Sequence, residues 1–297
     1  MTFLGPEDFV SLFGYLDRRK QILSFLEEDV GNGDITSEVL IPEDLSAEAE
    51  VWYKGTTESA VVCGIQEACT VLEICDCSTT KLVEDGAVLT NDQPVIAIKG
   101  SARGILKAER TALNLLMRMS GIATECRKYN SQLRNLGVNT LVTATRKTSP
   151  GMRLFDKKAI VVGGGNPHRM GLYDRILIKD NHIAIMGNAS ECIATARKHA
   201  GSNQKIECEV RSTDELLSVV RAGADTVMLD NFSTDNAKEA MCKLRDLGLR
   251  NHVLVEISGG INESNFRDFA DLNPDFISVG SITHSTKAVD FSMTVKS

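Results

Sequence analysis

From Thr140 onward, six short runs rich in apolar and β-branched residues recur: TLVTA (140–144), RILIK (175–179), IECEV (206–210), TVMLD (226–230), VLVEI (253–257) and FISVG (276–280). Stretches of helical character lie between them, such as residues 214–222 and 235–247. Strand and helix alternating at this spacing mean parallel βαβ units, because a parallel neighbour is reached only through a crossover. Runs this apolar suit strands covered by helices, in a barrel or a doubly wound sheet.

The polar residues at the ends of the runs separate those two options. Thr145, Arg146 and Lys147 follow the first run, and Lys179 closes the second. Glu207 and Glu209 lie in the third, on one face by the period of two, and Asp230 closes the fourth. Ser258, Gly259 and Gly260 follow the fifth; Gly280 closes the sixth, with Ser281 and His284 just beyond. A TIM-like barrel assembles its active site on that C-terminal face from several strand ends. An open sheet would concentrate it at one switch point. The spread over six ends favours a barrel, although six or seven strands are easier to count than eight.

The N-terminal part reads as mixed α and β. Residues 6–28 place Phe9, Leu12, Phe13, Leu16, Leu23 and Leu26 at a helical period. Residues 47–53 alternate like a strand, 63–75 suit a helix and 95–99 suit another strand. Residues 101–136 make a long proline-free helical stretch, expected to be interrupted near Gly121. Within it Ala108, Ala112, Leu115 and Leu116 form a packing stripe that leaves Arg110 aside. On period alone, such an arginine is a solvated surface charge.

Composition narrows the class. The chain has 297 residues, a net charge of −7 and a pI of about 5.4, which argues against general nucleic-acid or membrane binding. No stretch of ~18 apolar residues occurs, and MTFLGPEDFV lacks the character of a secretory signal. The eight cysteines form no CxxC pair, so they read as buried reduced thiols of a cytoplasmic protein rather than as a metal or redox site. The first 50 residues carry 12 acids against 3 bases, a solvated acidic face.

Positive charge gathers elsewhere. From Thr140 to His182 there are 8 Lys and Arg against 3 Asp and Glu, a balance of +5. Arg146, Lys147, His168, Arg169 and Lys179 suit a polyanionic small ligand, because arginine grips carboxylates in a fork and lysine offers phosphates a point charge. Glu209 and Asp230, at neighbouring strand ends, suit Mg²⁺ or sugar hydroxyls; the alternative is an internal salt-bridge network with Arg146, Lys147 and Lys179. The SGGI (258–261) and VGS (279–281) turns follow the last two strands, where barrels commonly bind phosphate.

At these residues the chain resembles the quinolinate phosphoribosyltransferases. The resemblance spans nearly the whole sequence through GDITS (33–37), AERTALNLL (108–116), SGIAT (120–124), TRKTSPG (145–151), GGGNPHRMGLYD (163–174), IKDNHI (178–183), ECEV (207–210), AGADTVMLDN (222–231), ISGGI (257–261) and ISVGSITHS (277–285). Ala144 departs from the aspartate many members carry before TRKT, and RSTDEL (211–216) is looser than usual. The resemblance implies an N-terminal α/β sandwich, residues 1–122, joined by a returning C-terminal strand in 286–297. It also implies an incomplete TIM-like α/β barrel over 123–285. The implied reaction joins quinolinate to phosphoribosyl pyrophosphate (PRPP) with Mg²⁺ and releases pyrophosphate and CO₂, in NAD biosynthesis. The implied assembly is a homodimer or a hexamer built from dimers.

Carried over by position, Arg146, His168 and Arg169 would hold the quinolinate carboxylates, with Arg110 reaching in from a partner subunit. Lys147 and Lys179 would sit between the substrates. Glu209 and Asp230 would hold ribose and Mg²⁺, and Ser258, Gly259, Gly260, Gly280 and His284 would surround the 5′-phosphate. The competing readings are a nicotinate phosphoribosyltransferase of related fold, a Schiff-base aldolase using Lys179, and an inactive phosphate-ligand sensor.

Overall fold

The structure, a computed structural model, describes residues 18–55, 59–201 and 204–296. In chain order it begins with helices α1 (Arg18–Val30) and α2 (Ile35–Leu40), then strand β1 (Ser46–Tyr53). There follow β2 (Ala60–Val61), α3 (Ile65–Ile74), β3 (Cys77–Lys81), β4 (Val88–Leu89), β5 (Gln93–Ser101) and the long α4 (Ala102–Leu136). Next come β6 (Leu141–Thr143), α5 (Arg153–Val162), β7 (Ile176–Ile178), α6 (Asp180–Met186) and α7 (Ala189–His199). The chain continues with β8 (Ile206–Val210), α8 (Thr213–Arg221), β9 (Thr226–Asp230), α9 (Thr234–Asp246) and β10 (Leu254–Ser258). It closes with α10 (Phe266–Ala270), β11 (Phe276–Ser278), α11 (Ser281–His284) and β12 (Phe291–Val295). Of the helix expected over 6–28, residues 18–28 lie in α1; the rest, with Phe9, Leu12, Phe13 and Leu16, lies outside the described residues.

The chain divides into two compact units. One takes residues 1–127, 149–164 and 285–297; the other takes 128–148 and 165–284. In the first, an antiparallel sheet runs in the order β12-β1-β5-β3. Strand β1 buries Ala49, Val51 and Tyr53 on alternate positions, the signature of a half-covered strand. The C-terminal strand returns to pair with it, Ala49 opposite Val295 and Tyr53 opposite Phe291. Helix α4 buries Ala108, Ala112, Leu115 and Leu116 as its stripe predicts, and Arg110 is exposed.

Two sequence expectations fail in this unit, and both failures have physical causes. Helix α4 is not interrupted at Gly121. A Cβ there would lie 2.2 Å from the backbone oxygen of Lys287, so the glycine serves close approach of the C-terminal segment rather than a break. The positive balance of residues 140–182 is also not all ligand charge. Arg153, Lys157 and Lys158 belong to α5 and hence to this first unit. Lys158 is buried, with Nζ 2.7 Å from Glu67 and 2.8 Å from Asp85. Asp85 Oδ1 in turn accepts hydrogen bonds from the Gly64 and Ile65 N–H groups at the start of α3. Asp156, wholly buried, receives a two-pronged hydrogen bond from Arg118 on α4, both prongs 2.8 Å. These charges are paired and hydrogen-bonded, which is what makes their burial tolerable.

The second unit carries the parallel strands. Six of them form one sheet in the order β6-β11-β10-β9-β8-β7. A single-residue parallel bridge from Thr143 to Asn166 extends the sheet beyond β6. The three strands β8, β9 and β10 bury apolar side chains: Cys208 and Val210, Val227 and Leu229, Val255 and Ile257 are all at zero exposure. Helices α8 and α9 start with serine caps, Ser212 Oγ accepting from the Glu215 N–H and Ser233 Oγ from the Asn236 N–H. This is the TIM-like α/β barrel favoured by the residues at the strand ends, incomplete as the family resemblance implied. Among the described residues no helix is long and apolar enough to cross a membrane.

The Gly121 contact yields the first prediction. Gly121→Leu should destabilise the first unit by about 2 kcal/mol or more, since backbone rather than a movable side chain meets the new atoms. Urea unfolding measures it; an unchanged midpoint would mean the C-terminal segment moves away freely.

Candidate active site

Parallel pairing aligns the strand ends. Ser258 lies opposite Asp230, Glu209 opposite Met228 and Ile178 opposite Cys208, so Lys179, Glu209, Asp230 and Ser258 leave the sheet along one rim. Ser278 pairs with Thr143, which brings the turns after β6 and β11 to the same rim.

On the β6–β11 side, Lys147, Gly280 and His284 meet. A Cβ on Gly280 would lie 3.4 Å from the His284 ring and 3.5 Å from Lys147 Cδ. Thr283 Oγ1 donates to the Lys147 carbonyl at 2.9 Å and fixes that strand end against α11. Next along the rim, Gly259 and Gly260 both have left-handed backbones, with φ of 94° and 64°. At Gly259 a Cβ would lie 2.7 Å from the Asn231 backbone nitrogen and 2.3 Å from its Oδ1, so the position admits no side chain. Asn231 itself has a φ of 56°, donates its N–H to the Ser258 carbonyl, and donates from Nδ2 to Asp230 Oδ2 at 2.9 Å. It thereby locks the acid to the glycine turn.

Lys179 and Glu209 form an ion pair across the β7 and β8 ends. The alternative weighed from sequence, that the barrel acids pair internally with the barrel cations, is realised at this one contact. Lys179 is also the N-cap of α6, where its own N–H donates to His182 Nδ1 at 2.9 Å.

His168 goes deeper. Its backbone is left-handed at φ 55°, and its N–H donates to Asn166 Oδ1 at 2.7 Å. The ring Nε2 stands 3.1 Å from Glu207 Oε2 and 3.4 Å from Glu256 Oε2, with all three side chains buried. Burial works against a charged ring, but Glu256 and Glu207 outweigh it and lift the His168 pKa to about 9. Burial also raises Glu207, yet His168 and then Arg175 hold it below its usual value. Burial, and then the Glu207 charge, push Glu256 upward. Arg169 is buried, and burial followed by the nearby Arg146 charge depresses its pKa. The Nε of Arg146 is buried with no hydrogen-bond partner.

The structure thus brings together Arg146, Lys147, His168, Arg169, Lys179, Glu209, Asp230, Ser258, Gly259, Gly260, Gly280 and His284 within the second unit. Arg110 belongs to the first unit and is exposed. Sequence reasoning passed over Asn231, Asn166, Ser278 and Glu256. The signal for Glu256 was present: an acid inside the apolar VLVEI run, at the same alternation as Ser258.

Parallel strands ending in a cationic and glycine-lined rim define a barrel enzyme for small anionic, phosphorylated ligands. The chain matches two family models, the quinolinate phosphoribosyl transferase N-terminal domain over residues 34–120 and the corresponding C-terminal domain over residues 122–294. It therefore belongs to the quinolinate phosphoribosyltransferase family. It is 38% identical over 275 residues to a probable nicotinate-nucleotide pyrophosphorylase (carboxylating) of Methanothermobacter thermautotrophicus, covering 93% of this chain and 98% of that one. A nicotinate-nucleotide pyrophosphorylase (carboxylating) of Rattus norvegicus is 34% identical, with 91% of this chain and 88% of that one covered. The solved nicotinate-nucleotide pyrophosphorylase of Francisella tularensis superposes with a TM-score of 0.85 at 36% identity, over 94% of this chain and 96% of that one.

The Gly259 geometry yields the second prediction. Gly259→Ala should cost about 1–3 kcal/mol, from the left-handed backbone and the Asn231 clash together. Chemical denaturation measures the loss, and a variant as stable as the parent would show that the turn relaxes without strain.

Proposed function

We propose that the chain transfers phosphoribose from PRPP to the ring nitrogen of quinolinate and releases nicotinate mononucleotide, pyrophosphate and CO₂, as a carboxylating nicotinate-nucleotide pyrophosphorylase of NAD biosynthesis. The observation that carries this reading is the Arg146–Arg169 pair. Two guanidinium groups close enough to depress one pKa repel each other, and the buried Arg146 Nε still lacks an acceptor. An unmet buried donor of this kind costs about 1–3 kcal/mol, which a ligand carboxylate would relieve. With His168 beside Arg169, three cationic groups suit the two adjacent carboxylates of quinolinate.

The remaining rim residues divide by chemistry. Ser258, Gly259, Gly260, Gly280 and His284 suit the 5′-phosphate, because exposed backbone N–H groups at glycine turns bind phosphate oxygens. Glu209 and Asp230 suit the ribose hydroxyls and a magnesium ion. Both are hard oxygen donors on neighbouring strand ends, and Asp230 keeps one carboxylate oxygen outside its contact with Asn231. When bound, Mg²⁺ would draw the negative charge of the departing pyrophosphate. Lys147 and Lys179 stand between the two substrate regions and stabilise the same charge.

The bond changes follow from that arrangement. The quinolinate nitrogen gives its lone pair to C1′ as the C1′–O bond breaks, and that bond pair leaves with pyrophosphate. The ring nitrogen is now cationic, so it stabilises the electron pair left on C2 when the C2 carboxylate departs as CO₂. C2 then takes a proton from water. No covalent enzyme intermediate is needed. The buried free thiols, seven of the eight cysteines, suit a cytoplasmic enzyme.

Incubation with PRPP, Mg²⁺ and either pyridine tests the reading. Turnover of quinolinate should exceed that of nicotinate by at least about a hundredfold, because a monocarboxylate leaves the buried Arg146 Nε without an acceptor, a loss of order ~3 kcal/mol. Equal use of both pyridines would reject the assignment of Arg146, His168 and Arg169.

A partner subunit supplies the remaining carboxylate contact in this proposal. Arg110 is exposed on α4 while the stripe around it is buried, so it is free to enter a neighbouring copy. The protein should then be a homodimer, or a hexamer of three dimers, and the monomer should be inactive. Inactive Arg110→Ala and Lys147→Ala chains should partly restore activity when mixed under subunit exchange, since one hybrid site carries both native residues. An active monomer, or no recovery in verified mixed dimers, would reject the shared site.

A further inference from the structure

Glu256 takes no part in the substrate contacts proposed above, yet it is buried at the centre of the second unit. An ionisable side chain in that position costs several kcal/mol unless its charge is matched. Its two oxygens differ in their surroundings: only Oε1 is hydrogen-bonded. Oε1 accepts a 2.6 Å hydrogen bond from Ser278 Oγ on β11, and Oε2 faces His168 Nε2 at 3.4 Å. Glu207, on β8, reaches the same ring nitrogen but also has Arg175 Nη1 at 3.5 Å. Two acids face two cations, His168 and Arg175, and Glu207 touches both, so removing the Glu256 charge leaves one cation of the cluster uncompensated.

We infer that Glu256, oriented by Ser278, is a positioning residue that keeps the His168 imidazole charged and fixed, so that His168 and Arg169 present a set cationic surface to a dicarboxylate. This rests on the reading that His168 and Arg169 face quinolinate. The groups at the ring are Glu207 from β8 and Glu256 from β10, with Ser278 behind Glu256 on β11 and Arg175, ahead of β7, beside Glu207; Arg169 follows His168 in the chain as a like charge. The backbone supports the same role. A left-handed histidine tied to Asn166 leaves the segment little freedom to re-aim if its ring is released. With its pKa near 9, His168 is charged throughout neutral pH. That charge is lost as pH rises through the folded pKa.

Glu256→Gln tests this in the full-length enzyme. Glutamine keeps the volume and an acceptor for Ser278 but removes the charge. The quinolinate KM of the native enzyme should stay nearly flat between about pH 7 and 8.5, while that of the variant should climb about fourfold over the same range as its His168 deprotonates early, a pKa displaced by about one unit. The KM for PRPP should not move in step. Histidine NMR of the ligand-free proteins gives a second readout, in which His168 should titrate at lower pH in the variant. Ser278→Ala should shift both in the same direction, more weakly, and carries the test if Glu256→Gln does not fold. A folded variant whose His168 titration matches the native one overturns the role of Glu256. A lowered titration with an unchanged quinolinate KM overturns instead the placement of His168 at quinolinate.

Discussion

Common direction of the six hydrogen-bonded strands is the constraint on which the rest of the second unit depends. Parallel strands leave a sheet on the same side, so residues far apart in the chain reach one rim without any interaction between them. Lys179, Glu209, Asp230 and Ser258 come from four different strand ends and are aligned by backbone pairing, with the Lys179–Glu209 ion pair added across two of them. Backbone pairing is stiff and repeated, so it can hold charged side chains that would otherwise avoid or collapse onto one another. The surplus of cations is the result. Arg146 and Arg169 are near enough to repel, and an anion lowers their energy on arrival. Such preorganisation is the usual source of electrostatic catalysis.

The charged contacts of that unit fall into two depths. At the rim, Lys179 holds Glu209, and the lysine side chain is 43% exposed, so water and ligands can compete for the pair. Contacts of that kind are weak and exchangeable. Beneath, His168, Glu207 and Glu256 are shut away from solvent, and breaking one contact would leave an uncompensated buried charge. The exposed pair at the rim is therefore exchangeable, while the buried cluster keeps the segment carrying His168 and Arg169 in place. The first unit uses the same device for architecture. Lys158 ties α5 to the start of α3 through Glu67 and Asp85, which explains why a segment lying between barrel strands in sequence packs with the N-terminal sheet.

Much of this was legible in the sequence. Alternating strands and helices, the polar residue closing each strand and the late glycine turns are local patterns, and local backbone preferences write them directly. The six strands and the buried stripe of α4 appear where those patterns put them, and the returning strand β12 appears where the family resemblance put it. The family motifs added the reaction, which no periodicity could supply.

What only the tertiary structure decided is which charges are spent and which remain for a ligand. Of the eight basic residues counted between Thr140 and His182, Lys158 is spent on Glu67, 91 residues away, and Arg175 on Glu207, 32 away, while the Arg146 Nε is left unmet. The same holds for Gly121, a helix breaker by composition but a contact point for the Lys287 backbone in the fold. Helix and strand periods depend on neighbours within a few positions. Charge pairing and close packing depend on separations in space, and those are fixed only once the whole chain has folded.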